Sequence, residues 1–130
     1  MVLSVTKPTL TLHAAFLRML EDYDAHDPKT GARYQQARED FAAYVQGLAD
    51  DEQGLVGIVP HSHRWLISPE EMVVAVVRVR HHINTALLAN EFGHIGYDVA
   101  PSFRQRGYGV AALRAGLDHA AALGLERVLL

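Results

Sequence analysis

The chain has 130 residues, 49% of them apolar and 21% charged, and a formal charge of −3 with its eight histidines neutral. This balance suits one soluble domain, residues 1–130, with its own core, and the mild acidity excludes a broad nucleic-acid-binding face. Cysteine is absent, which excludes disulfides and thiolate catalysis and suits the cytoplasm; no apolar run reaches the roughly 20 residues of a membrane helix, and no secretory signal is present.

In chain order, Val2–Val5 predicts a short first strand, closed by Pro8. Thr9 or Thr11 can cap the helix that follows, on which Leu12, Phe16, Met19, Leu20 and Tyr23 recur at helical spacing. Asp27–Gly31 reads as a turn, and a second helix is predicted from about Tyr34 to Leu48 with Ala37, Phe41, Tyr44, Val45 and Leu48 inward. After a loop over Gly54–Ser62 come a short strand at Arg64–Ile67 and a turn at Ser68–Glu71. Met72–Arg80 holds five valines in nine residues and predicts a central strand, with Arg78 and Arg80 on a solvated face. Asn84–Asn90 reads as a short helix or a bulged loop, and Gly93–Val99 as a further strand ended by Pro101. A helix opening after Gly107 carries Val110, Leu113, Leu117, Ala120 and Ala121 on one face and closes at Gly124. Glu126–Leu130 begins another strand. The order β-α-α-β-β-β-α-β predicts a mixed α/β sheet with helices packed against it. A right-handed crossover makes the strands on either side of the last helix parallel.

Chemistry concentrates at Arg104-Gln105-Arg106-Gly107-Tyr108-Gly109, between an extended run and a helix. Two glycines permit a tight turn, and the amides of that turn and of the first helical turn are then available to an anion. Arg104 and Arg106 add positive charge there. The Walker triplet is absent, and the glycine spacing is not that of a dinucleotide fold. Alternatively, Gly107 and Gly109 make only a tight turn, and the arginines are solvated surface charge.

The pattern Arg-x-x-Gly-x-Gly, after a strand ending in Val99-Ala100-Pro101 and before a helix and the Gly124–Leu129 strand entry, resembles the GNAT superfamily of N-acetyltransferases. The wording Gly93-His94-Ile95-Gly96-Tyr97 is similar to a small bacterial branch of predicted acetyltransferases. The resemblance implies an acyltransferase-like fold and an acetyl-CoA site. It places the CoA pyrophosphate on the amides of Gln105, Arg106, Gly107, Tyr108, Gly109 and Val110, with Arg104 beside them. The pantetheine arm would pair with Tyr97, Asp98 and Val99 like an added strand, and the Val99 amide would face the thioester oxygen. Family members continue past the strand at which this chain stops, with another helix and two strands that often supply a tyrosine acid. The expectation is therefore a C-terminally truncated domain lacking that helix and those strands, with completion by a second subunit as a homodimer, or a reduced member, as the alternatives.

Acetyl transfer to an amine needs a base for the amine proton and an acid for the thiolate. His94 occupies the strand position where the family often has a catalytic glutamate, and an imidazole suits a base near neutral pH; a packed histidine is the alternative. Glu91 is a second candidate. Tyr97 and Tyr108 read as packing residues. His61 and His63 alternate on a strand face, a spacing that can hold zinc, but with no third ligand evident no metal is expected. With Trp65 they can instead line the acceptor pocket. The expected activity is transfer from acetyl-CoA to a small-molecule or peptide amine in a ternary complex, with no nucleic-acid or membrane partner. A non-catalytic acyl-CoA-binding module and a dimerising structural fragment are the rivals. Net negative charge favours a cationic acceptor.

Overall fold

The computed structural model describes residues 2–55, 59–82, 94–125 and 128. Strand β3, Val73–Arg80, buries every residue except its two arginines, because its valines are covered on both faces. It pairs antiparallel with β2 (His61–Ile67) on one side and β4 (Ile95–Val99) on the other. A short β1 (Ser4–Thr6) joins the outer edge of β2, giving among the described residues a sheet of order β1-β2-β3-β4 whose pairings are all antiparallel. The mixed α/β architecture is as predicted. The Asn84–Asn90 element, the Glu126–Leu130 strand and its parallel pairing lie outside the described residues.

The first strand is Ser4–Thr6 rather than Val2–Val5, and Val2 and Val5 are exposed. As an edge strand, β1 is placed by ladder bonds to β2 and not by apolar burial. β2 begins three residues earlier than predicted, because His61, Ser62 and His63 pair with Arg80, Val79 and Arg78. Between Leu66 and Ile67 the register slips by one residue. The extra residue of this bulge puts Val74 and Ala75 in the same apolar cluster, which strict alternation would forbid.

Four helices cover one face of the sheet. Helix α1 (His13–His26) presents Phe16, Met19, Leu20 and Tyr23, after a 3-10 turn at Leu10–Leu12 whose cap is Thr9. The single helix predicted over 34–48 is broken. The short α2 (Pro28–Gly31) leads to α3 (Gln35–Glu39), which stops at Asp40, and α4 (Phe41–Gln53) restarts there. The cause is local: Asp40 is extended (φ −154°, ψ 91°) and its carboxylate accepts from the Ala43 amide at 3.0 Å. A carboxylate suits such a cap better than a helix interior. Phe16, Phe41 and Trp65 meet at the centre of this layer, with Phe16 and Trp65 ring centroids 4.8 Å apart.

The opposite face carries α5 (Tyr108–Ala122). Its buried stripe is Ala112, Gly116 and Ala120, whereas Val110 and Leu117 are exposed. The predicted face was therefore turned too far toward the larger side chains. Val77, Val79 and Ile95 already fill the sheet surface, so only small residues allow the helix to approach. A Cβ on Gly116 would stand 3.0 Å from Ile95 Cγ2. Gly124 ends the helix as expected, at φ +85°, with Leu125 N–H donating to Ala120 O and Gly124 N–H to Ala121 O, a Schellman arrangement. No described helix is long and apolar enough to cross a membrane.

Candidate active site

The site is assembled where β4 hands over to α5. A 3-10 turn at Pro101–Phe103 carries the chain off the strand. Gln105 and Gly107 then both adopt left-handed backbone, at φ 59° and φ 86°. Glycine takes that conformation without penalty; glutamine pays of order 1 kcal/mol for it. The first α5 amide with a helical partner is that of Ala111, which donates to Gly107 O at 3.1 Å. Among the described residues, the amides from Gln105 to Val110 make no close hydrogen bond to a protein acceptor, and the turn over 104–107 engages them only weakly. Six consecutive donors thus gather around the positive end of a four-turn helix, an arrangement that suits a diphosphate.

The flanking guanidiniums are engaged. Arg104 donates from Nε to Val99 O at 3.1 Å and from an Nη to Asp27 Oδ2 at 2.8 Å, and it lies 6.0 Å from the centre of the Tyr23 ring. The hydrogen bond from Arg104 holds the Asp27 carboxyl below its ordinary range. Arg106 donates to Ser102 O at 3.2 Å and lies over the Phe103 and Tyr108 rings. Both arginines are exposed and keep further donors free for an anion, but Arg104 also braces the turn against the strand.

β4 forms one border of the described sheet. Arg80 N–H donates to His94 O and Ala100 N–H to Val74 O, which places His94, Gly96, Asp98 and Ala100 in the hydrogen-bonded register with β3. The alternation of an antiparallel ladder then turns the main-chain groups of Ile95, Tyr97 and Val99 away from β3. Val99 O is taken by Arg104 and by the Tyr23 hydroxyl at 3.3 Å. The amides of Tyr97 and Val99 and the Tyr97 carbonyl point to the outer edge, the side from which an extended ligand could add. Asp98 bonds inward to Val76 instead, so the three predicted strand residues divide two to one. The exposed Tyr97 ring packs over the start of α5, within 3.5 Å of where a Gly109 Cβ would be.

Asp98 directs its carboxylate to the other face of the sheet. Its Oδ2 accepts from the Tyr34 hydroxyl at 2.9 Å and from Arg78 at 3.2 Å, and Arg33 lies 3.5 Å from Oδ1. These groups line a cavity of about 190 Å³ together with Tyr44, His63, Trp65 and Val76. Arg78 was predicted on a solvated face; it is half-buried and crosses β4 above Gly96, where a Cβ would sit 3.3 Å from its Nη2. Burial is the main cause raising the Tyr34 and Tyr44 hydroxyls above their usual range, Tyr44 to about 12. Sequence spacing gave no sign of Arg33, Tyr34 or Arg78 as site residues, because they come from two elements, the 3-10 turn at Ala32–Tyr34 and β3, that only the tertiary fold brings together.

His61 and His63 do share a face, with ring centroids 4.9 Å apart, and the structure supplies the third group that spacing did not show. Asp51 Oδ2 from α4 lies 3.0 Å from His63 Nε2 and 3.3 Å from His61 Nε2, and the three ligating atoms fall within 4.8 Å of one another. His61 Nδ1 meets Val59 O at 2.9 Å. Desolvation pushes the His63 imidazole down to about 4, so it is neutral near pH 7. Trp65 is wholly buried in the aromatic core and shows only an edge to the cavity. His94 is buried just ahead of β4, and Glu91 lies outside the described residues. A larger groove of about 560 Å³ runs between β1 and the start of α1. It holds none of the predicted residues.

The model of the Acetyltransferase (GNAT) family matches residues 12–130. In fold the chain is similar to a crystal structure described as "a putative phosphinothricin N-acetyltransferase", with a TM-score of 0.52 and 13% identity over 95% of this chain and 68% of that one. No curated protein matches the sequence.

Proposed function

Because this chain belongs to the acetyltransferase (GNAT) family, we propose that it transfers an acetyl group from acetyl-CoA to an amine by direct attack within a ternary complex. Acetyl-CoA supplies the activated acyl group: the amine nitrogen bonds to the thioester carbon as the C–S bond breaks, the amine proton passes to a base and the thiolate takes one from an acid. The observation that carries this reading is the run of amides without a close partner, Gln105 to Val110, where the open edge of β4 meets α5. In this reading the run receives the pyrophosphate, and Tyr97 and Val99 pair with the pantetheine arm. The Val99 amide then donates to the thioester oxygen as charge builds there. His94 takes the amine proton. The absence of cysteine excludes an acetyl-cysteine intermediate and favours direct transfer.

The test is calorimetry with acetyl-CoA on the wild type and on Gly107→Val. A valine cannot hold φ near +86° and places methyl groups over the amide cluster. The expected result is a loss of at least about 100-fold in affinity, or about 2.7 kcal/mol, in a variant that stays folded. Unchanged affinity removes the pyrophosphate assignment. Binding without thiol release across a panel of amines would instead point to an acyl-CoA-binding module.

A further inference from the structure

We propose that the amine acceptor is a small amino acid, held through its carboxylate by Arg33 and Arg78 at the mouth of the cavity beside Asp98. This inference rests on the acetyltransferase reading, since it names the substrate of that same site.

Charge in the cavity is the first ground. Two guanidiniums surround a single carboxylate, and among the described residues the other titratable groups on its wall are His63, neutral near pH 7, and two phenols that stay protonated. Asp51, 3.0 Å from His63 behind the wall, offsets the excess, so the positive charge is confined to the mouth that Arg33 and Arg78 form. At a pocket of this size the near groups outweigh the distant ones, because exposed charges beyond about 8–10 Å are screened by salt.

Donor accounting is the second. Asp98 is already paired with two cations, Arg78 on Oδ2 and Arg33 at Oδ1, and Tyr34 also donates to Oδ2. It therefore offers little to an incoming ammonium. Each guanidinium has five N–H donors, and its contact with Asp98 occupies one of them. Arg33 is 67% exposed and Arg78 31%, so both present unused donors to the opening in the fork geometry that suits a carboxylate.

Size and position complete the argument. A volume of about 190 Å³ is below the usual range for drug-sized ligands and matches a single small molecule. Asp98 sits between Tyr97 and Val99, whose amides face the outer edge of the same strand. A carboxylate anchored at Arg33 leaves the α-amine two bonds from the carboxylate carbon. The amine can then reach the edge of β4 without a long spacer.

The test compares small amino acids with the amines they become on decarboxylation, alanine against ethylamine and valine against isobutylamine, by thiol release from acetyl-CoA. The expected result is a kcat/KM at least tenfold higher for the amino acid of each pair, with Arg33→Gln erasing the preference. Arg33 is exposed, so its loss spares the fold, and acetyl-CoA affinity measured in parallel reports on folding. Equal or reversed preference overturns the proposal, as does a preference that survives Arg33→Gln. If no amine is acetylated, calorimetry with the same pairs decides. Carboxylate-dependent binding that Arg33→Gln abolishes supports the pocket while the acetyltransferase reading falls; no such binding overturns the pocket.

Discussion

Arg104 donates to the carbonyl oxygen of Val99 across 3.1 Å, five residues back along the chain. The bond joins the end of β4, where the pantetheine arm would pair, to the turn that would receive the pyrophosphate. Asp27, in the break after α1, holds the same guanidinium at 2.8 Å. One side chain thus ties strand, turn and helical layer together at the junction of the two halves of the proposed acetyl-CoA site.

Arg104→Lys is therefore expected to weaken acetyl-CoA binding about tenfold, although charge is retained, because an ammonium cannot reproduce the two-directional contact. The stability cost is about 1 kcal/mol, reduced by the exposure of the pair. Calorimetry and thermal melts on one preparation read both. A lower Tm with unchanged acetyl-CoA affinity would restrict Arg104 to folding.

Gly116→Ala should destabilise the protein even though alanine is the better helix former. The new Cβ meets Ile95 at 3.0 and 3.2 Å and Val77 at 3.2 Å. Overpacking of that kind costs about 1–3 kcal/mol, against about 1 kcal/mol gained in helix propensity. Gly47→Ala in α4 is the control, since nothing lies within 4 Å of its added Cβ, and it should stabilise by about 0.5–1 kcal/mol. Urea unfolding of both variants checks the opposite signs.

Stability should fall as pH drops from 6.5 toward 4, in part through His63. Desolvation lowers its folded-state pKa to about 4, although Asp51 works in the other direction and His61 and Arg78 reinforce the shift. The unfolded chain, with a histidine near 6.5, therefore binds a proton first. The contribution is complete above pH 6.5, shrinks through this window and is lost below about 4. Its ceiling is roughly 3 kcal/mol. His63→Gln should flatten the difference between urea midpoints at pH 7.5 and 4.5; an identical difference would place the titration elsewhere.

His94→Ala should lower kcat by more than tenfold with little change in acetyl-CoA affinity, in line with a proton acceptor that does not hold the nucleotide. The acid limb of the kcat/KM profile should disappear in the variant. A profile of unaltered shape would leave His94 as a buried packing residue.

Much of this protein can be read from local chemistry. The valine-rich β3, the apolar spacing of α1, the glycine turn into α5 and the Gly124 cap each depend on residues close together in sequence, so composition and spacing reveal them. Asp40 shows where apolar periodicity misleads: its extended backbone and its bond to the Ala43 amide break a stretch whose apolar spacing runs on unbroken. The face of α5 was a different matter. Periodicity chose its large residues, but the buried stripe is small because Val77 and Ile95, some 20 or more residues away in sequence, already occupy the sheet surface. The cavity beside Asp98 was further still from view. Arg33, Arg78 and Asp98 lie on three separate elements, and their mutual charge balance exists only after the chain has brought them within hydrogen-bonding distance. Sequence alone determined that a glycine turn would leave main-chain amides at the start of α5, since a glycine turn before a helix is a local event. Tertiary structure alone decided what lies across the strand from them, since electrostatic and steric complementarity depend on distance in space.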